Sequence, residues 1–421
     1  MPVTNVRQNN GMIEVTFSVS LDGSMLDIEE ALQESLNEAG CAVMEKALES
    51  FDTDGSPIKI GDTTLKTKGR FRQAYETPYG KAHVERHVYQ TSKGGKTFCP
   101  LEQNARMVLN STPRYAKIVS SKYSRMGANV LRRDLLECNG RKISHNYAMD
   151  LSNFVGALVQ AKEETWEYDL PEFDKPVAAI SVGLDGTCML MRDGNWREAM
   201  CGSIALYDAR GERLHTIYAG ASPEYGKSIF LERFGREVER IKCRYPDVIY
   251  LGLADGAKVN WDFLIPRTDR QTIDFYHARE YLAQAAEAIC GHGTKRDEWE
   301  NSQSHRLKHV RGGAKKVLDE MKQAQPNVKG WQKQDNLRKA ITYFENHRTK
   351  MQYWKNVDEG LPIGSGVTEA ACKILIKQRM CISGSRWKDE GAAAVIALRS
   401  LELTPGRWEQ FWKYANQFGI K

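Results

Sequence analysis

Apolar residues recur at two periods along this chain, and the places where the period changes mark its elements. Residues 12–19 alternate apolar and polar side chains, which predicts a strand. A helical period follows from about residue 28 to 51, with Leu32, Leu36, Ala39, Val43 and Leu48 on one stripe. Asp27 is expected to cap that helix, with Glu30 completing a capping box; packing or self-association is the role this stripe implies. Residues 61–102 read as β-hairpins, because Ala82, Val84 and Val88 alternate with charged residues and Lys93-Gly94-Gly95-Lys96 supplies a turn. From 103 to 170 the period is helical again. A basic amphipathic stretch spans 114–125 and a second helix about 129–138. Asn139-Gly140 turns the chain, and Ser144 caps a helix carrying Tyr147, Leu151, Phe154 and Leu158.

Beyond the proline-flanked linker 170–176 the pattern becomes α/β. One strand is expected to end at Asp185, one to cross 187–192, and one to run 199–207 with an extension through 216–218. A helix over about 225–245 precedes a strand ending at Asp255, and residues 271–277 read as a fifth strand. Residues 278–356 are helical or polar, with Trp299, Trp331 and Trp354 among basic residues, and a helix carrying Glu369 follows the turn Gly364-Ser365-Gly366. Three meandering strands, a helix and a further strand are the element order of an RNase H-like fold. The expected architecture is therefore a mixed α/β, multidomain chain. Residues 1–60 form a strand and long helix for oligomerisation, 61–102 a small β module, and 103–170 a helix-turn-helix-like module. An RNase H-like catalytic core covers 173–285 and 361–402, interrupted by a helical insertion at 286–360 and followed by a C-terminal helix at 403–421.

Composition narrows the class. With 421 residues the chain is long enough for about three domains. No run of 18 apolar residues exists, which excludes a membrane-spanning helix. The nine cysteines are irregularly spaced without a CxxC pair, so neither a disulfide framework nor a zinc ribbon is expected, and a cytoplasmic protein is. Charge is segregated: residues 1–60 hold 3 Lys/Arg against 11 Asp/Glu, 61–150 hold 17 against 7, and 291–350 hold 14 against 7. The two basic blocks are either surfaces for a polyanion or solvated faces.

The chemistry lies in three acids. Asp185 and Asp255 close apolar strands and Glu369 sits on a helix; carboxylates so arranged can hold two divalent cations, because Mg²⁺ prefers hard oxygen ligands. Gly186 and Gly256 follow the aspartates and would admit a close approach of backbone and metal, although Asp-Gly also simply marks turns. Asp274-Phe-Tyr-His277 is expected to support the active-site edge or orient a ligand. Lys373 and Lys377, four and eight residues after Glu369, extend along its face toward DNA phosphates, and Arg379, Arg386 and Trp387 continue that ridge. If residues 129–158 bind DNA as a helix-turn-helix, Arg141, Lys142, His145 and Asn146 face it; an ordinary helical hairpin is the alternative.

The run 364–373 (Gly-Ser-Gly-Val-Thr-Glu-Ala-Ala-Cys-Lys), with Gln378-Arg-Met, Ser383-Gly, Arg386-Trp, Gly391-Ala and Leu398-Arg, resembles the glutamate region of the ISKra group of bacterial insertion-sequence transposases. Residues 85–102 are similar to that group's N-terminal region, and Asp274-x-x-His277 resembles the C/D-x-x-H signature of Mutator-like and related DDE transposases. The resemblance covers roughly residues 80–400 and implies a DDE domain with Asp185, Asp255 and Glu369 as catalytic metal ligands. It further implies two Mg²⁺ ions, with Mn²⁺ able to substitute, recognition of terminal inverted repeats, and 3′-hydroxyl strand transfer into target DNA. A homodimer or larger assembly on double-stranded DNA, in the bacterial cytoplasm and on the nucleoid when bound, follows from that reading. An RNase H-like nuclease or resolvase without strand transfer, and a silent transposase-derived DNA-binding protein, are the rival functions.

Overall fold

The computed structural model describes residues 3–9, 11–163 and 165–419. The chain divides into two compact units, one of residues 1–168, 397–402 and 407–421, the other of 169–396 and 403–406. The three N-terminal modules read from the sequence are thus one unit, joined by the last helices of the chain.

In the first unit, strands β1 (Val3–Asn9) and β2 (Met12–Phe17) pair antiparallel ahead of helix α1 (Met25–Glu49). The cap of α1 lies three residues before the expected position. Ser24 accepts from the Asp27 backbone N–H while the Asp27 side chain accepts from Ser24 N at 2.7 Å, so Asp27 is the third residue of the box rather than its cap. The apolar stripe is buried only in its second half: Ala39 and Leu48 are buried, whereas Leu32 and Leu36 are exposed. Four antiparallel strands follow in the order β3 (Ile58–Ile60), β4 (Thr63–Glu76), β5 (Lys81–Thr91), β6 (Gly94–Phe98). The last turn is the pair Ser92-Lys93, two residues ahead of the expected glycine pair, which instead begins β6. The β6 register reaches β5 only at Tyr89 and Thr91. Beyond that reach α1 and the turn after it supply partners for β5: Glu45 of α1 accepts from His83 N at 2.8 Å and Asp52, just past the helix, from His87 N at 3.0 Å.

Helices α2 (Pro100–Asn104), α3 (Pro113–Arg125), α4 (Ala128–Asn139) and α5 (His145–Lys162) complete the N-terminal part. The expected boundaries of α3 to α5 hold, with Gly140 left-handed after α4 and Ser144 accepting from Tyr147 N.

The second unit is built on a five-stranded sheet of order β11-β10-β7-β8-β9. Here β7 is Ala179–Leu190, β8 Trp196–Tyr207, β9 Arg213–Ala221, β10 Ile249–Ala254 and β11 Arg270–Ile273. Strands β7, β8 and β9 form an antiparallel meander, whereas β10 and β11 run parallel to β7. The partition of the meander differs from expectation: the runs ending at Asp185 and crossing 187–192 are one continuous strand, so Asp185 lies inside β7. The parallel crossover is α6 (Lys227–Arg244), whose Phe230, Phe234, Val238 and Ile241 are buried. Residues 274–277 are not strand; they begin α8 (Phe275–Cys290), after the short α7 (Lys258–Leu264).

Helices α9 (Thr294–His309), α10 (Gly313–Ala324), α11 (Trp331–His347) and α12 (Tyr353–Asp358) follow. Their Leu307, Val317, Leu337 and Phe344 bury in the same cluster as Ile180, Val182 and Ile204 of the sheet. Residues 286–360 are therefore an insertion in sequence that shares one core with the sheet, not a separate domain. Helix α13 (Gly366–Ala371) runs through a π-helical segment, Cys372–Lys377, into α14 (Gln378–Met380). Helices α15 (Asp389–Leu403) and α16 (Arg407–Phe418) end the chain.

Candidate active site

Register brings the two aspartates together. Every β10–β7 partner pair, such as Leu253 with Gly183, differs by 70 in number, the same separation as Asp255 and Asp185. Adjacent strands lie about 4.8 Å apart, so both carboxylates rise from the edge where β10 ends and β7 continues. Asn260 on α7 spans that edge. Its Nδ2 lies 3.4 Å from both Leu184 O and Asp255 Oδ1, while Ala257 N donates to Asp255 Oδ1 at 3.1 Å.

Helix α13 approaches β7 closely at Gly183, where a Cβ would collide with Thr368 Oγ1. Thr368 Oγ1 instead pairs with Ser203 Oγ at 2.8 Å, which fixes the next residue, Glu369. Asp185 and Glu369 line one cavity of about 600 Å³ together with Lys373, Lys377 and Gln378. The π-helical segment does not carry the two lysines off the face of Glu369.

Burial pushes the Asp185 carboxyl above the ordinary carboxylate value. Gly186 N, at 2.7 Å, and the Cys372 thiol, at 3.4 Å, donate to it and oppose that rise; the negative charge of Asp255 adds to it, and Lys377 opposes it. Hydrogen bonding to Cys201 and burial hold the Cys372 thiol far above its usual range, so it stays protonated and remains a donor. Asp274, 1% exposed, joins two segments of the chain: it accepts from His277 N at 2.6 Å, from the Ser365 hydroxyl at 2.8 Å and from Ser365 N. Ser365 Oγ also lies 3.0 Å from Glu369 Oε1, so Asp274 is linked through Ser365 to the third acid. His277 is different: its ring faces Glu280 at 3.3 Å and packs edge-on against Tyr281 and Tyr343.

Several expected contacts are corrected by burial. Arg141 is 6% exposed, pairs with Glu76 at 2.6 Å, donates to Thr77 O and lies over Tyr115, so it cannot meet DNA. Arg379 and Trp387 are also buried, the guanidinium 5.0 Å from the indole ring and the indole N–H donating to Met380 O. Lys142, His145, Asn146, Lys373, Lys377 and Arg386 are exposed. Gly186 and Gly256 make room for protein rather than for an ion: a Cβ would strike the Glu198 carboxylate at Gly186 and approach His347 at Gly256. Asn260 was missed from sequence, because an asparagine in a seven-residue helix carries no motif. Its only signal is its place five residues after Asp255.

Among the described residues, no three His, Cys, Asp or Glu side chains close around a single point. The acids instead share a sheet edge (Asp185 and Asp255) and a cavity wall (Asp185 and Glu369). The donors nonetheless suit a hard cation: a half-buried Asp185 carboxyl of raised pKa lies beside a second carboxylate, and the buried Asn260 Oδ1 has no hydrogen-bond partner among the described residues. No family model matches the chain, and no curated protein matches it.

Proposed function

We propose that residues 169–396 form an RNase H-like catalytic unit and that the chain is a DDE transposase, cutting element ends and joining them to target DNA. The observation that carries this reading is the common register of Asp185 and Asp255 on adjacent parallel strands, with Glu369 on the wall of the Asp185 cavity. The sheet order agrees with it: a three-strand meander followed by two strands parallel to its first is the RNase H-like arrangement. The resemblance of residues 364–387 to the ISKra group adds the reaction class.

In this reading Asp185, Asp255 and Glu369 hold two Mg²⁺ or Mn²⁺ ions. Bound there, the ions supply activation of a water or 3′-hydroxyl and neutralisation of the leaving oxygen. The chain's own residues do the rest. Asn260 fixes the spacing of the aspartate edge, Asp274 and Ser365 orient Glu369, and Lys373 and Lys377 draw the DNA backbone to the cavity. Lys142, His145, Asn146 and Arg386 are the remaining exposed DNA contacts. The exposed Leu32 and Leu36 on α1 give a surface for holding two copies on paired ends. No helix of the described residues is long and apolar enough to cross a membrane, in keeping with a protein working on DNA in the cytoplasm.

The test is a joining assay on labelled duplexes carrying the sequences that flank the gene, with a target plasmid and Mg²⁺. A transposase gives labelled plasmid that disappears in D185N and D255N. Cutting without joining would favour a nuclease, and neither activity would leave the DNA-binding alternative.

A further inference from the structure

Between α8 and α11 lies a second cavity of about 250 Å³, two of whose lining residues, Tyr343 and His347, also approach Gly256, the residue after Asp255. Lys339, Tyr343 and His347 follow one another at four-residue spacing and so line it as one ridge of α11, with Arg338 next to them and Tyr281 from α8 opposite. Tyr281 and Tyr343 stack at 3.9 Å between ring centroids, and His277 buttresses both edge-on. Tyr343 is 8% exposed, yet among the described residues its hydroxyl has no hydrogen-bond partner, and neither does His347 Nδ1. Such atoms are costly to bury unless something fills the site. At the rim, Arg338 and Lys339 are both drawn to Asp335, at 2.6 and 2.8 Å. A Cβ at Gly256 would lie 3.2 Å from His347 Nε2, so the glycine eases the approach of His347 to the residue next to Asp255.

An aromatic wall, backed by two buried and unpartnered polar atoms, and two cations at the mouth match the parts of a nucleotide: a flat base and a phosphate. We infer that this cavity is a subsite for an unpaired nucleotide of the DNA strand, its base against Tyr281 and Tyr343 and its phosphate against Arg338 and Lys339. The inference rests on the reading of the neighbouring acids as a phosphodiester-processing centre, since that reading brings a DNA strand to Asp255. His277, the second half of the Asp-x-x-His motif, then shapes the subsite wall instead of holding an ion.

The experiment uses the full chain in Ca²⁺ and two hairpin duplexes, one flush-ended and one with a short 3′ single-stranded extension containing 2-aminopurine. The wild type is expected to prefer the extended duplex and to quench the 2-aminopurine. R338A/K339A, altered only at exposed rim positions, should lose roughly fivefold affinity for the extension. The slope of log affinity against log salt should fall by about 0.7, the share of one single-strand phosphate contact. Y343F, which keeps the ring, should weaken quenching without lowering the melting temperature. Variants that melt like wild type and still prefer the extension would overturn the subsite alone, if the wild type also cuts DNA in Mg²⁺. A wild type that neither binds nor cuts either duplex would overturn both readings.

Discussion

Replacing Arg141 by alanine separates a structural residue from a DNA-reading one. The Arg141 guanidinium is buried with Glu76 at 2.6 Å, donates to Thr77 O at 3.1 Å and lies 5.1 Å from the Tyr115 ring. Removing one member of a buried ion pair costs about 3–5 kcal/mol, because the other charge is left without its partner. The lost bond to the Thr77 carbonyl adds about 1 kcal/mol. Lys81 lies 3.6 Å from the other Glu76 oxygen and partly replaces the missing charge, but its side chain is more than half exposed and therefore weakly coupled. The net expectation for R141A is a loss of about 3 kcal/mol. The chain has two compact units, so a single melting curve does not isolate this loss. Amide hydrogen exchange across α3–α5 and β4 does. R141A should accelerate exchange there and leave β7 and β10 unchanged, whereas K142A should alter stability by no more than about 0.5 kcal/mol. R141M/E76Q, which removes both charges, should recover much of the loss. Wild-type exchange in R141A combined with weakened DNA binding would refute the assignment and return Arg141 to the DNA surface.

Three further outcomes follow from the candidate site. Because burial raises the Asp185 pKa, its folded form holds a proton more tightly than the unfolded chain does. That contribution to stability is present below the ordinary carboxylate range and is lost as pH rises through the folded value. D185N should therefore melt above wild type near neutral pH in EDTA and lose that advantage in acid, and Mn²⁺ should raise the melting temperature of wild type only; the opposite order in EDTA would contradict the burial argument. N260A removes the amide between Leu184 O and Asp255 Oδ1, and calorimetric titration should show roughly tenfold weaker Mn²⁺ binding, the lower end seen when groups orienting metal ligands are lost; unchanged affinity would remove Asn260 from the site. D274A removes the cap of α8 and the link to Ser365, and should destabilise the second unit by about 2 kcal/mol in urea unfolding followed at its tryptophans; a loss within measurement error would show that the link is not structural.

What was readable in the sequence is what local chemistry controls. Ser144 as a cap, Gly140 as a left-handed stop and the apolar spacing of α3–α5 set those helices where expected, because capping and period are short-range. The pairing of Asp185 with Asp255 was readable only as two strand-end acids; the register that aligns them arises from a crossover through α6 and needs the sheet. The strand end itself was misplaced. Asp185-Gly186 reads as a turn, but β8 pairs with β7 past it to Leu190, and cross-strand pairing outweighs the turn preference of a dipeptide. Arg141, Arg379 and Trp387 show the other limit. A cation in a basic segment reads as surface until Glu76, 65 positions away, is found to bury it. The shared core of 286–360 was hidden for a similar reason, since the helical period shows which face is apolar but not what covers it.

The most direct test of the metal-binding edge is anomalous diffraction from crystals of the full chain soaked in Mn²⁺, with D255N crystals as the control. The account predicts manganese peaks within coordination distance of Asp185 and Asp255 in the wild type, and none at that edge in D255N. Peaks confined to other parts of the surface, with both aspartates bare, would contradict it.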